Sequence, residues 1–90
     1  MQDRKLELQK AIANVIKRKR KYSISKICLE IDMSKSLWSI LEKGSKDINI
    51  STFWRIAEGF DIKPSELMAE IEKEIGDKFS FIEDSSGNQK

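Results

Sequence analysis

Ninety residues with 17 Lys/Arg, 15 Asp/Glu, no histidine and one cysteine make one small domain of net charge +2. At this size a single core is only modestly stabilising, and docking against a second copy helps. The missing histidines and lone cysteine remove Ser/His/Asp and Cys/His catalysis, Cys/His zinc sites and any intramolecular disulfide, so neither an enzyme nor a metal or other cofactor is expected.

The leader MQDRKLELQK has no apolar run, and no later stretch approaches the ~20 apolar residues of a membrane span. A cytoplasmic chain with no membrane partner is expected. Charge is unevenly placed: residues 1–50 carry twelve Lys/Arg against six Asp/Glu and residues 51–90 five against nine, so the halves stand at +6 and −4. One face turned to phosphates and another turned away fits that split.

From Asp3 to about Arg20 the spacing of Leu8, Ile12, Val15 and Ile16 predicts a first helix. It ends in the run Lys17 to Lys21, KRKRK. This reads as a solvated helix end favourable to cations, as a phosphate contact or, least in keeping with the rest of the chain, as a nuclear-localisation signal.

Ser23 is a good N-cap for a second helix reaching about Ile31, on which Ile27, Cys28 and Ile31 form a buried stripe while Lys26 and Glu30 face away. Cys28 is then a core thiol rather than a redox switch. Asp32 tolerates the left-handed backbone of a sharp corner, Met33 plugs it, and Ser34 caps a third helix ending near Lys43. On that helix Trp38, Leu41 and Ser45 are expected on one side, with Lys35, Ser36, Ser39 and Lys43 on the other. Gly44 follows as its stop. The segment from Ser23 to Gly44 is thus two short amphipathic helices meeting at an angle, the shape of a DNA-reading unit.

After the loop GSKDIN, Ser51 is expected to cap a fourth helix running to about Gly59, with Phe53, Trp54 and Ala57 turned inward. Phe60 and Ile62 fill the core after it. Pro64 opens a fifth helix whose stripe is Leu67, Met68, Ile71 and Ile75, ended by Gly76. The segment KFSFIED alternates Phe79 and Phe81 with polar neighbours, a short strand signal whose alternatives are irregular chain or pairing with its copy in a dimer. The closing SSGNQK is polar. Residues 1–76 read as the helix-turn-helix domain and 77–90 as a tail with a dimerisation segment.

The order of these signals resembles the lambda Cro/C1 repressor family, also called the XRE family of bacterial and phage helix-turn-helix regulators. The likeness covers roughly residues 5–75 and rests on Ser23, Cys28 mid-helix, the Asp32 corner, the Glu42-Lys43-Gly44 triplet and the junction IAEGFDIKPSELM. It implies an all-α, five-helix lambda-repressor-like fold and a DNA-binding transcriptional regulator, mainly a repressor. Such a protein binds a pseudo-palindromic operator as a homodimer, with helix 3 in the major groove of double-stranded DNA. A bacterial or phage-encoded, nucleoid-associated protein goes with it.

By the same resemblance the base-reading positions fall on Lys35, Ser36, Ser39 and Ile40. Lys35 suits guanine O6 or N7 and Ile40 a thymine methyl. Phosphate-binding places fall on Ser23, Lys26, Lys43, Ser45 and Lys46, and an ion pair between Lys17 and Glu42 is expected to hold helix 3 against helix 1. The chain departs from the family at Ile24, where relatives often carry Gln. With Leu37 and Ile40, Ile24 makes the reading face more apolar, which admits a second reading as a protein-interaction module on the same fold, such as an antitoxin component.

Overall fold

The computed structural model describes residues 4–21 and 23–82. It is all-α: α1 (Arg4–Lys19), α2 (Ile24–Glu30), α3 (Lys35–Glu42), α4 (Ile50–Gly59) and α5 (Pro64–Ile75). The expected start at Asp3 lies outside the described residues.

Capping explains where the helices begin. Ser23 Oγ accepts from Lys26 N at 3.2 Å and Ser34 Oγ from Leu37 N at 3.1 Å, each satisfying an orphan donor of a first turn. At α4 the cap is Asn49, whose Oδ1 accepts from Thr52 N at 2.8 Å; Ser51 lies inside the helix and donates to the same Oδ1. The expected cap at Ser51 is corrected because Asn49 sits two residues earlier and its short amide reaches the same donor row. α5 starts on Pro64 in its first turn, with Glu66 Oε1 accepting from Lys63 N at 2.8 Å.

The core joins Val15 and Ile16 of α1, Ile27 and Cys28 of α2, Trp38 and Leu41 of α3, Phe53, Ile56 and Ala57 of α4, and Leu67 and Ile71 of α5. α1 packs on α3 and α5, α2 on α3, and α4 on α5. Trp38 is fully buried and meets Phe60 edge-to-face, with centroids 6.1 Å apart and planes at 82°. Phe60 and Ile62 are half-buried against this cluster, and so are Ile24, Met33 and Leu37. Burying an aromatic of this size is worth several kcal/mol, about 3–5 by the cost of truncating one to alanine.

Three apolar expectations change. Trp54 is 53% exposed, since Phe53, Ile56 and Ala57 already fill the inward arc of α4 and leave Ile50 and Trp54 on its outer side. Met68 is exposed on α5, where Leu67 and Ile71 take the buried positions. Ser45 is exposed rather than inward, because α3 ends at Glu42 and the chain has turned by Gly44.

The corner between α2 and α3 uses Asp32 at φ 55°, the left-handed conformation a short polar residue tolerates. Gly59 packs tightly on the end of α2: a Cβ there would lie 2.7 Å from Ile31 Cγ2. Residues 78–82 of the strand-like KFSFIED form turn and bend, and no described residue is in a strand; Glu83 and Asp84 lie outside the described residues.

Candidate nucleic-acid interface

With 3.6 residues per turn, Lys35, Ser36, Ser39, Ile40 and Lys43 fall within one arc of roughly 140° on α3 and the turn that follows it. Trp38 and Leu41 occupy the opposite arc in the core. Lys35 and Ser36 are exposed in the first turn, Ser39 is half-buried one turn later, and Ile40 is 39% exposed beside it. The outward face therefore presents two cations, two hydroxyls and one aliphatic side chain.

The other candidate groups lie on α2 and in the segment after α3. Ser23 is exposed at the start of α2, and because its oxygen accepts from Lys26 N its O–H is still able to donate. Lys26 is exposed in the first turn of α2, and Lys43 and Lys46 are exposed after α3. Ser45 Oγ lies 3.4 Å from Ile40 O, a long bond for which a phosphate oxygen can compete. Ammonium and hydroxyl donors without carboxylates among them suit anionic oxygens.

The angle at which α3 is presented depends on Glu42. Its Oε2 accepts from Arg20 Nε at 2.7 Å and from Trp38 Nε1 at 2.6 Å, and Oε1 lies 3.4 Å from Arg20 Nη2. The Glu42 side chain is only 11% exposed. A carboxylate so far out of water needs such partners. The expected Lys17 to Glu42 pair is corrected: Lys17 lies exposed on α1, and the cation that reaches α3 is Arg20, just past the last turn of α1. Arginine's planar fork meets both carboxylate oxygens through two separate nitrogens, a matched geometry that an ammonium lacks.

Two more residues of the basic run, Arg18 and Lys19, reach α5. Arg18 Nη1 lies 2.9 Å from Glu74 Oε1, Arg18 Nη2 3.7 Å from Glu70 Oε1, and Lys19 Nζ 3.9 Å from Glu70 Oε2. Asn14 Nδ2 donates to Glu74 Oε2 at 3.1 Å. Hydrogen bonds from Arg18 and then Asn14 hold the Glu74 carboxyl below the usual carboxylate range. Arg18, Lys19 and Arg20 thus brace helices, and the phosphate reading of KRKRK loses those three side chains. The signal that could have found this is the acidic spacing Glu70 and Glu74 on α5, one helical turn apart and matched to the end of α1.

Two further braces lay outside the sequence reading. Arg55 Nη1 of α4 donates to the Asp32 carbonyl at 3.1 Å, tying α4 to the corner before α3. Lys5 Nζ and Asp47 Oδ2 lie 3.8 Å apart, linking α1 to the loop after α3. Cys28 Sγ is 3.6 Å from Ser34 O, and burial above all pushes its thiol upward, against the pull of the Lys35 charge and with the push of Glu42. The thiol stays protonated and unreactive.

Among the described residues there is no group of three or more side chains able to hold a metal ion, and no helix is long and apolar enough to cross a membrane. No family model and no solved structure matches the chain. The chain is similar to Control protein C.MunI of Mycoplasma sp., with 28% identity over 74 residues that cover 82% of this chain and 100% of the relative. What the chain is similar to is therefore a protein named as a control protein.

Proposed function

We propose that this chain is a sequence-specific DNA-binding transcriptional regulator of the lambda-repressor-like, XRE kind, acting mainly as a repressor. It binds a pseudo-palindromic operator as a homodimer, each α3 entering a major groove about one helical turn from the other. Lys35, Ser36, Ser39 and Ile40 read bases, and Ser23, Lys26, Lys43, Ser45 and Lys46 hold phosphates. The observation that carries this reading is the outward arc of α3, free of carboxylates and opposite the buried Trp38 and Leu41, on a helix that Arg20 and Glu42 tie to the end of α1. Likeness to a protein named as a control protein supports it.

Affinity then rests on a handful of phosphate contacts and falls steeply with salt. Selection of bound sites from random DNA by the purified chain tests the reading. A palindrome with half-sites about one helical turn apart is the expected product. Absence of any enriched sequence would refute it.

A second reading, a protein-interaction module such as an antitoxin component, is favoured by Leu29. This side chain is 84% exposed beside an open cleft of about 550 Å³ that Cys28, Met33 and Lys35 also line. A protein of defined stoichiometry co-purifying with the chain, together with failed site selection, is the result that would favour it.

A further inference from the structure

Arg55 and Gly59 stand one turn apart on α4, and both meet the corner that leads into α3. At Gly59 the backbone of α4 packs so closely on Ile31 that an added Cβ would lie 2.7 Å from its Cγ2. At Arg55, Nη1 donates to the Asp32 carbonyl at 3.1 Å. Asp32 is the left-handed residue of the corner, at φ 55°, and precedes by two positions Ser34, the N-cap of α3. The neighbouring bonds stay within the helix pair: Met33 N donates to Cys28 O at 2.9 Å, and Cys28 Sγ lies 3.6 Å from Ser34 O. Those bonds join the corner to α2, whereas the Arg55 bond spans 23 residues and joins it to α4.

We infer that Arg55 is a positioning residue for base reading: it holds the entry of α3 against α4 and so sets the pitch at which Lys35 and Ser36 are offered to DNA. The other end of α3 is tied to α1 through Arg20 and Glu42. With 8 residues, α3 is about 12 Å long, so a slip of about 1 Å at its entry tilts it by about 5° and moves Lys35 and Ser36 by nearly the whole slip. Hydrogen-bonded recognition is held to within about 0.5 Å, while a lysine meeting a phosphate as a point charge tolerates more. Loss of the Arg55 bond therefore reaches specificity before it reaches general affinity. Arg55 itself stands outside the phosphate frame. The open hollow of about 290 Å³ that it lines is also lined by Glu30, Asp32 and Glu58, and all four side chains are exposed. A phosphate brought to Arg55 would meet those three carboxylates as well.

The role rests on the DNA reading proposed above, so the full chain is measured both free and on DNA. Arg55→Met removes the donor and keeps an unbranched stem, Arg55→Lys keeps the charge and a donor on a shorter reach, and far-UV circular dichroism verifies that both fold. In the free protein, amide hydrogen exchange in Arg55→Met is expected to quicken about three- to tenfold at Met33 and Leu37, the bonded N–H groups around the corner, and to stay unchanged at Ile71 of α5. On DNA, anisotropy titrations of the selected operator and of a random duplex are compared. Discrimination is expected to fall about three- to thirtyfold in Arg55→Met, with affinity and salt slope on random DNA unchanged and part of the loss recovered in Arg55→Lys. Discrimination equal to the parent's, or corner amides that exchange no faster, overturns the positioning role. So does a salt slope reduced by about 1 with equal weakening on both duplexes, which makes Arg55 a phosphate contact. Exchange quickened alike at Met33, Leu37 and Ile71 overturns it too, by making Arg55 a brace of the whole fold. Faster exchange confined to the corner, in a chain that enriches no DNA sequence, refutes the DNA reading and leaves Arg55 as the tether of α3.

Discussion

Arg20 Nε lies 2.7 Å from Glu42 Oε2, so the residue just past the end of α1 grips the last residue of α3. The same oxygen accepts the Trp38 indole N–H, which makes Glu42 the joint between the core tryptophan, α1 and the outward arc of α3. Removing Arg20 leaves the Glu42 carboxylate without its cation in a poorly hydrated place, and removing Glu42 leaves the Trp38 indole N–H without its partner. Because both side chains retain some exposure, Arg20→Ala or Glu42→Ala is expected to cost about 2–3 kcal/mol, below the range for a fully buried pair. Lys17→Ala is expected to stay within about 0.5 kcal/mol of the parent. Urea unfolding followed by Trp fluorescence measures all three, and equal losses at Lys17 and Arg20 would contradict this joint.

Lys35 and Lys43 stand at opposite ends of the α3 arc and should separate specificity from affinity. Lys35→Ala is expected to lose discrimination between operator and random DNA by about 1–3 kcal/mol. Lys43→Ala should weaken both alike and reduce the salt slope by about 1. Fluorescence anisotropy at several salt concentrations reads both effects. Specificity left intact in a folded Lys35→Ala protein would remove the base-reading role of that face.

Gly59 holds α4 against α2, where an added Cβ would come 2.7 Å from Ile31 Cγ2. Gly59→Ala gains helix propensity of about 1 kcal/mol, yet the overlap forces Ile31 off its position at a cost of about 1–3 kcal/mol. Net destabilisation is expected. Pairing it with Ile31→Val, which removes a methyl group from the crowded side chain, should return part of the loss in a double-mutant cycle.

Glu74 gives the α1–α5 contact a pH dependence of known sign. Its carboxyl is held below the usual range by hydrogen bonds from Arg18 and Asn14, so the unfolded chain takes up the proton first as pH falls. The contribution is complete above the unfolded value and disappears as pH falls through the lower folded one. Glu74→Gln should therefore lower the melting temperature slightly at neutral pH and flatten its decline with acid. A decline as steep as that of the parent would mean that other carboxylates carry the acid response.

Five helices, their order and most of their ends were legible in the residues because the relevant signals are local. Ser23 and Ser34 reach a backbone N–H three positions on, and the stripe Ile27, Cys28 and Ile31 repeats with the helix period. The outward arc of α3 follows from the same period once Trp38 and Leu41 are taken inward. Trp54 was misplaced because periodicity gives the angle between residues and not which arc meets a neighbour. Phe53 and Trp54 are adjacent in sequence, and the packing of α4 decided between them.

What the sequence determined alone, then, is what local chemistry fixes: the caps at Ser23 and Ser34, the helix period, the Asp32 corner, and the absence of histidine chemistry. Which charge meets which was decided only by the tertiary structure. Lys17, Arg18, Lys19 and Arg20 are nearly interchangeable as letters, yet successive helical residues point about 100° apart, so they do not all face the same neighbour. Arg18 and Lys19 meet the acidic face of α5, while Arg20 turns to Glu42 on α3. Ion pairs across 22 to 56 residues depend on where whole helices come to rest, and that is set by the core they share.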